Sequence, residues 1–197
     1  MLPELLALPL TQNVLGAVLT HDYGTHRHLL NVAVLLGQVG YTAGFSHSDA
    51  IAIGRAGLFH DIGKLRIPEY LLNAPRTLTD DEMTTMKTHA TIGEAILRAH
   101  HQDELASIVR GHHERLDGSG YPDGLAGTAI SWATRLLSVV DCYDAMRSGR
   151  PYAAATPHAE AIQRLTSAPH LFDQDAVAVL VATIHERAHG ARLALIA

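Results

Sequence analysis

Two short stretches of this chain concentrate side chains that bind metals. His112-His113-Glu114-Arg115-Leu116-Asp117-Gly118-Ser119-Gly120-Tyr121-Pro122 sets two adjacent imidazoles, an acid and a guanidinium directly before a glycine-rich loop able to wrap a ligand. Far upstream stands His60-Asp61, within HDIGK. Adjacent histidines on a helix point about 100° apart, so both reach one metal only if the local backbone presents them to it. A carboxylate beside a histidine makes a good bridging group, because its two oxygens can bind two metals at once. Imidazole suits transition metals such as iron, manganese or zinc. A lone His-Asp pair is equally at home as a polar helix end; the two stretches together imply a buried polymetal site beside a ligand loop.

Three further residues join them with less force. His89 lies mid-helix in MKTHATIGEAIL, on the side of Ile92 and Ile96, where a single histidine is more often a packed core residue than a ligand. Asp141 follows the apolar run LLSVV, so a carboxylate is driven inward. Burying it unpaired is expensive, and a metal or a salt bridge would compensate. His28 looks inward with Val32, whereas His26 lies about 200° further round the same helix and faces solvent. The glycines of GSGYP allow positive φ and close backbone approach, and its proline fixes the exit of the turn. Alone it is a structural turn; beside a histidine pair it reads as a ligand loop in which Tyr121 offers a ring or a hydroxyl.

The elements that must position these groups are helices. Apolar residues recur at helical spacing from His28 to Val39, with an end near Gly37 and Gly40. Ser46 or Ser48 caps a helix through DAIAIGRAGLFHDIG. Thr79 and Glu82 form a capping-box pattern that opens one helix through DDEMTTMKTHATIGEAILRAH. DELASIVRGHHERL, ISWATRLLSVVDCYDAMRS, 157–166 and 173–188 are read as helices too. Loops fall at 64–79, 116–128 and 148–156. No hairpin or alternating pattern appears, so the fold class is all-α.

Composition narrows the function. With 197 residues, 47% apolar and 18% charged, the chain can bury a sizeable core in one domain. A net charge of −5 argues against coating a nucleic-acid polymer, so an anionic substrate needs metals or a few placed cations. Cys142, the single cysteine, excludes an internal disulfide and suits the cytoplasm. The first twenty residues are apolar but hold Glu4, two prolines and no basic start. They fit neither a signal peptide nor a membrane span, and read as a helical extension (1–20) before the main domain (21–197).

HDIGK, then IP with LL, LTDDE, KTH and IGEAIL, followed in order by HHERLDGSGYPDGLAG, RLLSVVDCYDAMRSGRPY and FDQDAV, resembles an HD-GYP domain over residues 25–181. HD-GYP proteins are a branch of the HD metal-dependent phosphohydrolases. The resemblance implies an HD-domain helical bundle with a GYP substrate loop, and hydrolysis of cyclic di-GMP to pGpG and, in many members, on to GMP. By position it implies metal ligands His28, His60, Asp61 and Asp141, with His89, His112 and His113 completing a second metal and Asp61 bridging. Two divalent ions, iron or manganese with zinc or nickel as alternatives, would hold a bridging hydroxide that attacks phosphorus in line. Lys64 resembles the family lysine beside the scissile phosphate, which binds it or helps protonate the departing 3′ oxygen. Asp61 and Lys64 are thus the expected catalytic residues. Lys64, Arg115, Gly120, Tyr121, Pro122 and Arg150 are the expected substrate contacts, with Arg115 equally suited to orienting the metal cluster.

The chain also departs from that pattern. A glutamate that supplies a third metal site in some members is here Gly24, which predicts two metals. The lysine after the RPY arginine is here Ala153, and the approach to His28 is altered to Tyr23-Gly24-Thr25. These changes leave two alternatives open: a weak or inactive cyclic-dinucleotide-binding module that recruits a protein partner through the GYP loop, or a hydrolase of another cyclic dinucleotide. Neither a membrane nor a nucleic-acid polymer is expected as partner.

Overall fold

The computed structural model describes residues 2–5, 23–148 and 155–194, and every regular element among them is helical. The order is α1 (Leu2–Leu5), α2 (Tyr23–Thr42), α3 (His47–Phe59), a 3-10 turn (Ile62–Arg66), α4 (Glu69–Leu72), α5 (Asp80–Lys87), α6 (His89–Ala99), α7 (Asp103–Arg110), a second 3-10 turn (Gly127–Ala129), α8 (Trp132–Ser148), α9 (His158–Thr166) and α10 (Gln174–Ala194). The all-α expectation holds. Of the 1–20 extension, the described part is α1, whose Leu5 is fully buried against Gly54 of α3. Among the described residues, no helix is long and apolar enough to cross a membrane.

The core forms where α2 and α3 pair along their length and α8 lies across both. Leu29, Val32, Leu36 and Val39 of α2 meet Leu58 and Phe59 of α3, with Leu136, Leu137 and Val140 of α8 behind them. Small residues set the close approach: a Cβ added to Gly57 would stand 3.0 Å from the backbone of Ala33. This pairing also explains why α2 runs past Gly37 and Gly40, where its end is expected. Gly40 packs against Ala50 and Ile53, and termination falls to Gly44, at φ +84°.

Helix starts follow the sequence more closely than helix ends. The Ser46 hydroxyl accepts from the Asp49 amide, and Thr79 and Glu82 complete the capping box that opens α5. Three expected helices are shorter than the sequence suggests, and the one through DAIAIGRAGLFHDIG ends at Phe59. The segment 80–100 breaks at Thr88 into α5 and α6, and the helix expected to run through HHERL stops at Arg110, with Gly111 as its C-cap. Both breaks serve the site.

Candidate metal centre

Three histidines are held in the same way at three helix ends. The last carbonyls of a helix lack partners within it. Here Nδ1–H of His60 donates to Gly57 O in the last turn of α3 at 2.8 Å, and Nδ1–H of His89 donates to Met86 O in the last turn of α5 at 2.7 Å. Nδ1–H of His112 donates to Val109 O in the last turn of α7. A carbonyl can only accept, so Nδ1 carries a proton in each ring and Nε2 is the nitrogen left to face inward. Each ring therefore caps a helix and turns a ligand nitrogen toward one centre. The partial negative charge at three helix C-termini also favours a cation there.

The breaks in α5–α6 and after α7 make this possible. Thr88 lets α5 end so that His89 can reach back to Met86, and Gly111 releases His112 and His113 from helical spacing. Their ring centroids come within 4.0 Å, which the 100° helical offset would forbid. The glycine of HDIGK brings the pieces together: a Cβ on Gly63 would lie 1.9 Å from His89 O, so only glycine lets the 3-10 turn press against α6.

Two groups result. His28, His60 and Asp141 form one; Asp61, His89, His112 and His113 form the other, with one ligand atom from each residue within 4.8 Å of the rest of its group. His28 Nε2 is 3.0 Å from Asp141 Oδ1, and His60 Nε2 is 3.5 Å from the same oxygen. Asp61 faces both groups: its Oδ2 is 3.3 Å from His60 Nε2, and its Oδ1 is 3.4 Å from His89 Nε2 and 3.9 Å from His112 Nε2. Lys64 donates to Asp61 Oδ2 at 2.5 Å. His60 Nε2 and Asp61 Oδ1 are buried without hydrogen-bond partners. Orphaned polar atoms cost about 1–3 kcal/mol each unless something binds them. Mixed imidazole and carboxylate donors fit divalent transition metals.

The electrostatics divide the same residues. Burial opposes a charge on His60, but the Asp61 and Asp141 carboxylates outweigh it and raise its pKa to about 10. Burial likewise opposes the charge on His28, and its hydrogen bonds to Asp141 and Asp144 raise it nonetheless. For His89, His112 and His113 burial wins and pushes each down, His113 to about 3. Despite their burial, Asp61 is held well below the usual carboxylate range by Lys64 and His60, and Asp141 by His60 and His28. The raised imidazoles are those beside the two carboxylates, where divalent ions would compete with protons.

The GYP loop closes over the second group. Tyr121 stacks on His113 with centroids 4.7 Å apart, its amide donates to His113 O, and the Tyr121–Pro122 peptide is cis. Gly120 is pressed against the chain, since an added Cβ would be 2.4 Å from Glu114 Cα. Glu114, unassigned from sequence, proves to be the buckle. It is 2% exposed and accepts from the amides of Asp123 at 2.8 Å and Leu125 at 3.0 Å. Arg110 adds a bidentate grip on Asp123, both bonds 2.7 Å, and also pairs with Glu94 of α6. A glutamate directly after the histidine pair, facing a loop rich in free amides, was the available signal.

Of the other expected contacts, Arg115 gives its guanidinium to Ser138 Oγ and the Glu114 carbonyl, both at 2.8 Å, and to the Phe172 ring. It braces the loop against α8. Arg150 and Ala153 lie outside the described residues. Asp144, one helical turn beyond Asp141 in α8, accepts from His28 Nδ1–H at 2.7 Å.

Comparison with known proteins gives the family and the fold. Residues 9–176 match the family model described as HD domain. The chain is 41% identical over 142 residues to the cyclic di-GMP phosphodiesterase response regulator RpfG of Xanthomonas campestris pv. campestris, which covers 71% of this chain and 38% of that protein. It is 39% identical over 134 residues to 3'3'-cGAMP-specific phosphodiesterase 3 of Vibrio cholerae, covering 68% of this chain and 29% of that one. The chain thus spans well under half the length of the curated relatives it matches. Its fold superposes on the HD domain of the L. monocytogenes phosphodiesterase PgpH in complex with cyclic di-AMP, with a TM-score of 0.67 at 16% identity, covering 90% of this chain and 96% of that one. With a family match across most of its length and the HD and GYP motifs in place, this chain belongs to the HD domain family, in its HD-GYP branch.

Proposed function

We propose that this domain is a two-metal phosphodiesterase that opens cyclic di-GMP to pGpG and carries it on toward GMP. The observation that carries the reading is Asp61, whose two oxygens face two separate groups of buried imidazoles. In this reading His28, His60 and Asp141 would hold one ion, His89, His112 and His113 would hold the other, and Asp61 would serve both. Iron or manganese is the expected metal. Such ions supply Lewis acidity and make bound water acidic enough to attack phosphorus near neutral pH.

The chain's own residues do the rest. Lys64, part-exposed beside Asp61, turns its ammonium to a non-bridging oxygen of the scissile phosphate and is placed to give a proton to the departing 3′ oxygen. Asp144 keeps the His28 lone pair directed inward. Glu114 and Arg110 hold the loop so that Tyr121 borders the second group, and its Gly120 and Pro122 shape the wall facing the nucleotide. Arg150 remains a candidate for phosphate or guanine, by its planar fork. The single cysteine supports action in a reducing cytoplasm. A protein partner at the GYP loop belongs to the same proposal.

The test is one assay with two readouts: metals counted per chain after anaerobic purification, and cyclic di-GMP followed by chromatography with added iron or manganese. Two metals and accumulation of pGpG or GMP, both lost in His60→Ala, is the expected result. Two metals with no product would overturn the substrate. Cyclic GMP-AMP is then the second reading, favoured by the similarity to the Vibrio relative.

A further inference from the structure

Of the fifteen basic residues in the chain that are not histidine, only two are lysines, Lys64 and Lys87. The fold brings both to the metal centre. Lys64 sits against Asp61. Lys87 is the last residue of α5, two positions before His89, and its ammonium stands 5.2 Å from the centroid of the Tyr121 ring. That same ring stacks on His113. Tyr121 therefore touches a candidate metal ligand and an exposed cation together.

Lys87 also differs from many of the chain's arginines. Arg76, Arg98, Arg110, Arg135 and Arg164 all pair with carboxylates. Among the described residues no carboxylate lies within ion-pair distance of Lys87. An exposed cation–π contact is weak and leaves the ammonium free to prefer a better acceptor. Lysine is a compact charge on a flexible stem, suited to following a phosphate rather than fixing a planar group.

We infer that Lys87 is a specificity-determining residue that binds the second phosphate of a cyclic dinucleotide, the one not undergoing cleavage. This rests on the phosphodiesterase reading above and deepens it. A cyclic dinucleotide brings two phosphodiesters to a chain with a net charge of −5. The metal groups and Lys64 account for one of them. The other, emerging past Tyr121, needs a cation at the rim, and among the described residues Lys87 stands there without a carboxylate partner.

The experiment uses the metal-loaded full chain and reads wild-type turnover of cyclic di-GMP and cyclic GMP-AMP first. Lys87→Met keeps the stem and removes the charge. Loss of a charge-assisted hydrogen bond predicts a rise in KM of about tenfold or more for the cyclic dinucleotide, with kcat moving less than about twofold. Lys87→Arg should recover most of the loss, and the salt dependence of KM should flatten in Lys87→Met. The ratio of kcat/KM for the cyclic dinucleotide to that for bis(4-nitrophenyl) phosphate, which has one phosphodiester, should fall about tenfold. With two lysines in the chain, acetic anhydride labelling read by mass spectrometry gives a direct check: bound nucleotide should protect Lys87. An unmoved KM, an equal loss on both substrates, or labelling of Lys87 indifferent to nucleotide would overturn the inference. Absence of turnover by the wild type on either cyclic dinucleotide would overturn the reading beneath it, and the inference with it.

Discussion

The α2–α8 flank of the metal centre and its α5–α7 flank hold their imidazoles by different means. On the first, His28 of α2 leans on a carboxylate, Asp144 of α8, at 2.7 Å. On the second, His89 and His112 lean on backbone carbonyls at the ends of α5 and α7. A carboxylate orients a ring and makes it more basic; a carbonyl orients it without lending charge. Nearness to carboxylates divides the protons: His28 beside Asp141 and Asp144 is raised, as is the carbonyl-capped His60 beside Asp61 and Asp141, while burial lowers His89, His112 and His113. One flank favours a proton where it would place a metal, while the other favours the neutral rings that a metal needs.

The sharpest way to break this division is at the residue that faces both flanks. Asp61→Asn should abolish turnover, well beyond the roughly 100-fold that loss of an orienting partner costs. Metal analysis should then find fewer than two ions per chain. Retention of two ions and of activity would show that Asp61 bridges nothing. Asp144→Asn should act on one flank alone, weakening one of the two ions by about 10–100-fold and leaving the other in place. Stepwise chelation would read this, and an equal loss of both ions would erase the distinction between the flanks.

The smallest effect concerns the metal-free protein. His89, His112 and His113 have folded values below 6.5, so the unfolded chain binds protons that the folded chain refuses. Stability should therefore fall as pH drops below 6.5, on the order of 1 kcal/mol per pH unit for each group fully engaged. His28 and His60 are raised, so their contribution is complete below 6.5 and fades only as pH rises, toward about 10 for His60. Thermal denaturation in chelator between pH 5 and 8 should slope downward on the acid side. A level profile would mean that the two flanks do not differ in their protons.

How much of this was legible in the sequence depended on whether the partner was a side chain. His60-Asp61, the histidine pair and the GYP loop were visible because their residue types are uncommon in combination. The carbonyls of Gly57, Met86 and Val109 could not be read, since every residue has one and only the helix end makes it available. The breaks at Thr88 and Gly111 were hidden for a related reason. Apolar periodicity continues through both, and tertiary contacts decide where the hydrogen-bond ladder stops. Glu114 was passed over because its partners are loop amides 9 and 11 residues away, a distance set by the path of the loop.

The capping of three helices by His60, His89 and His112 has a dynamic consequence. Each last turn can fray only by releasing its imidazole, and each imidazole can keep its angle only while the turn stays wound. An ion held by those rings would draw on the same free energy that keeps the helix ends closed. Metal occupancy and local opening at the ends of α3, α5 and α7 are then two views of one equilibrium. The slowest-exchanging amides of a loaded domain should include turns that, by length and position, would otherwise be among the first to open.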